Sequence, residues 1–457
     1  MYDILILYDQ YTTHIKTILE HLDAFSMYSK NRVFYLPGTR DSRIEIDLSV
    51  FDVVVVHYSV RLSLTWHISE SAASELRDYQ GYKILFIQDE YENTEIARKW
   101  INDLNFQLVY TCVPEKYISQ IYPPTQFEDV EFINTLTGFV PSSASKSQSR
   151  LALDDRENMV GYRGRELPAW YGDLAREKYI IGKKVKEICE ERGIRSDIEW
   201  LMNKRIYGDG WYKFLENCRV TLGAESGSNV FDENGEIQKN VTQALDQNPS
   251  LTYDDLYGLY VAEHEGPVMM NQISPRVFEA IAMRTGLVLF EGEYSGIVKP
   301  NVHFIPLKKD FSNIEDVIAK IFDIQYLSSM IERAYVDIIS SGKYSYEQFV
   351  KGFDEIIKER VLSRNSAKII TGIAGWQVDS GSPIVVPQAS NIDKVPIDTP
   401  LQYFKEGGEN RSQQGLIRFA IDPVYKLFQR IPVFASFIRF LYSIPMARKI
   451  INFLLRY

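Results

Sequence analysis

Cysteine is scarce in this chain: 457 residues hold three, Cys112, Cys189 and Cys218. An odd number without metal-binding or redox spacing gives no disulfide framework, and a reducing compartment is expected. Long apolar runs are missing too. Nothing reaches the roughly 20 residues that a helix needs to cross a bilayer. Residues 1–8 read as a strand, with neither a basic leader nor a long apolar core, so no signal peptide is expected. Asp232, Glu233, Gly235 and Glu236 share residue types with a calcium loop, but the ligand spacing is incomplete. No metal site and no cofactor are expected. Without low-complexity tracts, and at 45% hydrophobic and 25% charged, the composition is that of a globular protein. Its length exceeds one core and implies two or three domains.

Charge is distributed unevenly. Between 411 and 457 stand eight basic residues and a single acid, Asp422. That tail carries +7 within a chain of net −10, so the preceding 410 residues carry −17. An acidic body of this size does not suit a nucleic-acid binder, and no nucleic-acid partner is expected. In the tail, apolar and aromatic residues alternate with Arg and Lys, broken by Pro423, Pro432 and Pro445. Short amphipathic helices of this make-up lie in a membrane interface, cations against anionic headgroups. The tail is therefore expected to be a helical extension that associates with a membrane surface.

Residues 1–140 alternate strands and helices. Strands are expected at 3–7, 32–36, 53–57, 83–87, 107–111 and 130–136, with helices at 12–25, 69–79, 92–104 and 114–122. Runs such as Val53-Val54-Val55-Val56 suit a parallel sheet covered on both faces. A doubly wound, Rossmann-like domain follows. After a Ser-rich crossing at 141–150, residues 151–362 repeat the alternation. Strands are expected near 159–162, 197–201, 220–224, 287–290 and 303–306, and helices at 172–192, 210–218, 274–283 and 314–322. An irregular insertion is expected at 229–264, closing helices at 326–360, and a linker or wrapping arm at 363–410.

Several segments carry polar groups at strand ends or helix starts, where open α/β sheets bind ligands. Ser274 is a good N-cap and Pro275 suits the first helical position, so a helix starts there. Its free amides, its dipole and Arg276 would stabilise a phosphate, with Glu279 one turn further in. Arg163 and Arg165 follow a strand, with Gly164 between them, and could neutralise a diphosphate. Glu225-Ser226-Gly227 forms a flexible turn after another strand and could hydrogen-bond a sugar or nucleotide. Asp89 and Glu90 follow a strand of the first domain, and His57 ends its neighbour. A carboxylate or imidazole there could take a proton from a hydroxyl.

Together these segments, with His57-Tyr58-Ser59, Phe86-Ile87-Gln88-Asp89-Glu90-Tyr91 and Glu177-Lys178, resemble CgeB-type (spore maturation) and related group 1-like polysaccharide-cluster glycosyltransferases. The likeness covers about residues 1–360. It implies a GT-B fold: two Rossmann-like α/β domains facing a cleft. It also implies transfer of a sugar from a nucleotide diphosphate to a glycan or lipid-linked acceptor in bacterial surface polysaccharide assembly. In related retaining enzymes a Glu-x7-Glu pair contacts sugar and ribose; here Glu279 fits the second place but Asn271 occupies the first. Glu225 could supply the missing carboxylate. No Asp-x-Asp occurs, so metal-independent transfer is expected. With the basic tail, the resemblance places the protein in the cytoplasm, peripheral on the inner face of the plasma membrane. A nucleotide-sugar epimerase and a catalytically silent GT-B scaffold are the alternatives.

Overall fold

The computed structural model describes residues 1–140 and 151–361. In the first domain β1 (Asp3–Tyr8), α1 (Lys16–Tyr28), β2 (Arg32–Pro37), β3 (Val53–Val56), α2 (Glu70–Asp78), β4 (Tyr82–Ile87), α3 (Thr94–Asp103), β5 (Leu108–Thr111), α4 (Ile118–Ile121) and β6 (Glu131–Asn134) alternate along the chain. The six strands form one parallel sheet in the order β2-β1-β3-β4-β5-β6. Both faces are covered, which explains the unbroken apolar runs. Leu5, Leu7, Val54, Val56, Leu85 and Ile87 enter one core, and Ile4, Ile6, Val53, Val55, Ile84 and Phe86 the other.

The second domain follows the same scheme with β7 (Asn158–Arg163), α5 (Gly172–Glu191), β8 (Ser196–Glu199), α6 (Asp209–Glu216) and β9 (Cys218–Gly223). After α7 (Glu236–Gln247) and α8 (Tyr253–Tyr260) come α9 (Pro275–Ala282), β10 (Gly286–Phe290), β11 (Ile305–Leu307), α10 (Ile314–Phe322), α11 (Ile324–Ala334) and α12 (Tyr346–Arg360). Its five parallel strands are ordered β11-β10-β9-β7-β8.

Two features differ from expectation. The insertion is not irregular: α7 buries Ile237, Val241 and Ala244, and α8 opens on a capping box between Thr252 and Asp255. The closing stretch also divides. A π-helical turn, Tyr335–Ser340, and Gly342 at φ +68° separate α11 from α12. Helix α12 then returns to the first domain, where Tyr346, Val350, Phe353 and Ile357 join the core beside α1. The amphipathic stripe of α12 would suit either sheet, so sequence alone groups it with its chain neighbours. The linker at 363–410 and the tail at 411–457 lie outside the described residues. Among the described residues no helix is long and apolar enough to cross a membrane.

Candidate active site

In both sheets the first strand lies between the second and third, so the chain reverses direction at β1/β3 and at β7/β9. Crevices at such reversals, beyond the carboxyl ends of the strands, are where doubly wound sheets bind ligands. The loops after β1, β3 and β4 form one wall of the interdomain cleft. The loop after β7, helix α5 and the start of α9 form the other.

The second-domain wall is cationic. Arg165 follows β7 and is half-buried, and its guanidinium has no hydrogen-bond partner among the described residues. Burial lowers its pKa, and so does neighbouring Arg205; Tyr171, Asp89 and Glu92 pull the other way. Lys178, on the second turn of α5, is pushed down to about 8 by burial, then by Arg276, with Arg165 adding to this and Asp89 opposing it. Three cations of one domain and a carboxylate of the other thus share one field. Arg276 is exposed, donates to the carbonyl of Arg163 at 2.6 Å and lies 5.5 Å from the Trp211 ring. Ser274 caps α9 with no side-chain hydrogen bond; Pro275 has no N–H and that of Val277 donates to the Ser274 carbonyl at 3.0 Å, which leaves the Arg276 amide at this helix start.

The start of α5 is occupied. Glu265 accepts from the backbone N–H of Asp173 at 3.0 and 2.9 Å and from that of Leu174 at 3.4 Å. An external anion would have to displace this carboxylate, so the open helix start on this wall is that of α9.

Other residues singled out from sequence do not face the cleft freely. Arg163 spends its fork on its own domain: Nη2 bonds Asp197 Oδ2 at 2.8 Å, Nη1 and Nε bond carbonyls, and the group stacks on Phe214. These bonds make it a clamp within its own domain. Gly164 is needed where β7 meets α5, since a Cβ there would lie 2.8 Å from the Lys178 carbonyl. Glu225, 2% exposed, accepts through Oε1 from the N–H groups of Glu293 and Tyr294 at 2.7 Å each, so it is buried at the sheet end rather than carried on a free turn. Ser226 pairs by its backbone with Gln272, and Gly227, at φ +103°, packs on Met270. Glu279 is buried rather than exposed, accepts from Trp211 Nε1 at 2.7 Å, and burial raises its pKa.

On the first-domain wall three proton acceptors were expected, and one reaches the cleft. His57 is fully buried, with Nδ1 2.8 Å from Ser59 Oγ and Nε2 3.0 Å from His21 Nδ1. Burial, then His21, pushes its pKa well below the usual imidazole range. Glu90 is also fully buried, bonded to Thr111 Oγ1 and the Cys112 N–H, and burial pushes it up to about 7. Neither can meet an acceptor. Asp89 is exposed, held in left-handed backbone at φ 58°, and receives the Tyr91 hydroxyl at 2.6 Å.

Lys178 shares α5 with Lys183, Lys184 and Lys186, a run of lysines that by composition suggests a solvated face. Its phase was the available signal. Gly182, Val185 and Cys189, at four, seven and eleven residues further, are all buried on α5. Lys178 therefore belongs to the inward stripe, unlike Lys183, Lys184 and Lys186.

Two Rossmann-like domains facing a cleft, with the last described helix crossing back to the first, constitute the GT-B architecture. No protein-family model matches the chain, and no curated protein matches it. Among solved structures, an α-glucosyltransferase in complex with UDP and a 13-mer DNA containing an HMU base is 10% identical, with a TM-score of 0.46 over 78% of this chain and 99% of that one. HepE of Anabaena in complex with UDP is 10% identical, with a TM-score of 0.40 over 79% of this chain and all of that one. TarM is 13% identical, with a TM-score of 0.38 over 66% of this chain and 54% of that one. These likenesses are distant, and the architecture stands on the strand order and register.

Proposed function

We propose that the chain transfers a sugar from a nucleoside diphosphate donor to a hydroxyl of an acceptor held between its domains. The observation that carries this reading is that Lys178 lies in the field of Arg165 and Arg276 from its own domain and of Asp89 from across the cleft. During transfer the bond from the anomeric carbon to the diphosphate oxygen breaks, the acceptor oxygen bonds that carbon, and the acceptor proton passes to Asp89. Charge then grows on the leaving diphosphate. Cations already in place stabilise it without reorganisation, and the Arg276 amide at the start of α9 adds to them. Glu279, buried and held through Oε2 by Trp211, is assigned to the donor ribose through Oε1, which bonds no described residue. No step is given to a metal; unchanged turnover in a chelator is the expected result.

Within this reading the acceptor is a glycan or lipid-linked glycan of bacterial surface polysaccharide assembly, as in the CgeB-type resemblance. The +7 carried by residues 411–457 supports a place at the inner face of the plasma membrane. Full-length protein should then sediment with anionic vesicles and a chain ending at 410 should not.

Titration of the full chain with UDP, UDP-glucose and other nucleoside diphosphate sugars tests the site. At least one donor should bind, and Lys178→Ala and Arg276→Ala should each weaken it by about 1.5–3 kcal/mol. Equal affinity in both variants would remove the donor site. Product analysis separates transfer from epimerisation, and a chain that binds no nucleotide is a scaffold.

A further inference from the structure

The segment that carries Asp89 is bracketed by two non-glycine residues in left-handed backbone, Asp89 at φ 58° and Asn93 at φ 48°. Such conformations persist where the surroundings over-determine them. Here the surroundings converge on Tyr91. Its hydroxyl donates to Asp89 Oδ1 at 2.6 Å, and the carboxylate has no other hydrogen bond to a described residue. Its carbonyl accepts from the N–H of Asp232, in the insertion of the second domain, at 2.9 Å. Its ring meets Tyr171 edge-on at 6.1 Å and Phe231 at 6.3 Å, both from the second domain. The next residue, Glu92, is fixed by Arg61 and by the Tyr171 hydroxyl at 2.5 Å. Burial, then the charges of Asp89 and Glu92, raises the Tyr91 phenol well above its usual range, so it stays protonated and remains a donor.

We infer that Tyr91 is a positioning residue for Asp89: gripped by Tyr171, Phe231 and Asp232 of the second domain, it sets the carboxylate's orientation toward the acceptor hydroxyl. The inference rests on the reading of Asp89 given above. It makes the insertion at 229–264 part of the site without contact to substrate. The two oxygens of a carboxylate are equivalent until one is tied. The Tyr91 bond ties Oδ1 and turns the other oxygen into the group presented to the proton. An insertion docked on the segment after β4, through Asp232 on Tyr91 and Glu233 on Glu95, would thereby couple the domain arrangement to the base.

Tyr91→Phe removes the hydroxyl and keeps the ring between Tyr171 and Phe231. With the full chain and UDP-sugar donors, kcat should fall about tenfold, with the donor KM and melting temperature unchanged. On the Asp89→Asn background the same change should cost little more, because the group it orients is gone. A purely structural tyrosine would lower the melting temperature and act additively with Asp89→Asn. If Asp89→Asn abolishes turnover while Tyr91→Phe keeps kcat within twofold, the inference is overturned and the function stands. If Asp89→Asn leaves turnover intact, or the wild-type chain consumes no donor, the functional reading fails and takes this inference with it.

Discussion

At the carboxyl ends of β3 and β4 the polar side chains bond one another, His57 to His21 and Ser59, and Glu90 to Thr111 and Cys112. At the end of β7 and on α5, Arg165 and Lys178 reach the cleft without a hydrogen-bond partner among the described residues. One wall has used its polar groups to close its own sheet edge; the other has left charges unpaired at partial burial. A half-buried cation without a partner is destabilising for the folded chain. Two of them in one field, with exposed Arg276 beside them, need an anion to justify the arrangement, and a diphosphate fits. The contrast also shows why Asp89 stands apart, since it is the carboxylate the first wall sends outward.

The largest effect should come from that carboxylate. Asp89→Asn keeps the side-chain shape and removes the proton acceptor, so turnover should fall by about 10²–10⁴ with donor affinity unchanged. Loss of donor binding instead would put Asp89 on the wrong side of the comparison.

Next come the cations, where Arg163 serves as the contrasting residue. Arg165→Ala should weaken donor binding about tenfold or more and leave stability alone. Arg163→Ala should chiefly destabilise, because it leaves Asp197 and three carbonyls without their donor. Lys178 adds a pH signature. Its cation is present below about pH 8 and is lost as pH rises through that value, so donor affinity should decline between pH 7 and 9. In Lys178→Arg, where the group stays charged, the decline should flatten. An identical pH profile in both proteins would exclude Lys178 from the donor site.

Much of this architecture is legible from sequence, and the exceptions have physical causes. Four successive valines at 53–56 can only be a strand covered on both faces, and Ser274-Pro275 announces α9. Asp89 and Glu90 are adjacent acids at one strand end. Which of them faces the cleft depends on a left-handed backbone at Asp89 that no periodicity encodes. Arg163 and Arg165 look equivalent until the parallel register sets Arg163 beside Glu199 and brings Asp197 of the same strand within reach of its fork. The capping box of α8 was readable as Thr252-x-x-Asp255, yet a short helix amid polar residues gives a weak period. Lys178 was readable from its phase on α5 and was hidden by three further lysines on the same helix.

A smaller effect is expected from the closed wall. His21, pushed down to about 3 by burial, and His57, pushed well below its usual range, are neutral in the fold. Unfolded, they protonate near pH 6.5. Their folded pKa values are depressed, so their contribution is present above pH 6.5 and is lost as pH falls. The slope reaches about 1.4 kcal/mol per pH unit for each proton by which the two states differ. Glu90, raised to about 7, acts in the opposite sense, so comparison with His57→Gln is required to isolate the histidine share. Urea unfolding at pH 7 and pH 5 should show a smaller loss in that variant; an equal loss would mean that the pair is not what acid attacks.

The smallest effect concerns the two helix starts. Glu265 supplies α5 with an internal anion, whereas α9 has none. Glu265→Gln keeps an oxygen near the Asp173 and Leu174 amides but removes the charge from the positive end of the helix dipole. The expected cost is about 0.3–1 kcal/mol of stability, shrinking with added salt. Gly172 makes the site narrow, since a Cβ there would lie 2.6 Å from Glu265 Oε2 and its φ is +73°. A donor phosphate therefore has no route to these amides while Glu265 holds them. Donor affinity should be the same in Glu265→Gln as in the wild type, because the phosphate belongs at α9. A gain in affinity would show that the start of α5 competes for the donor, and the assignment of the two helix starts would have to be reversed.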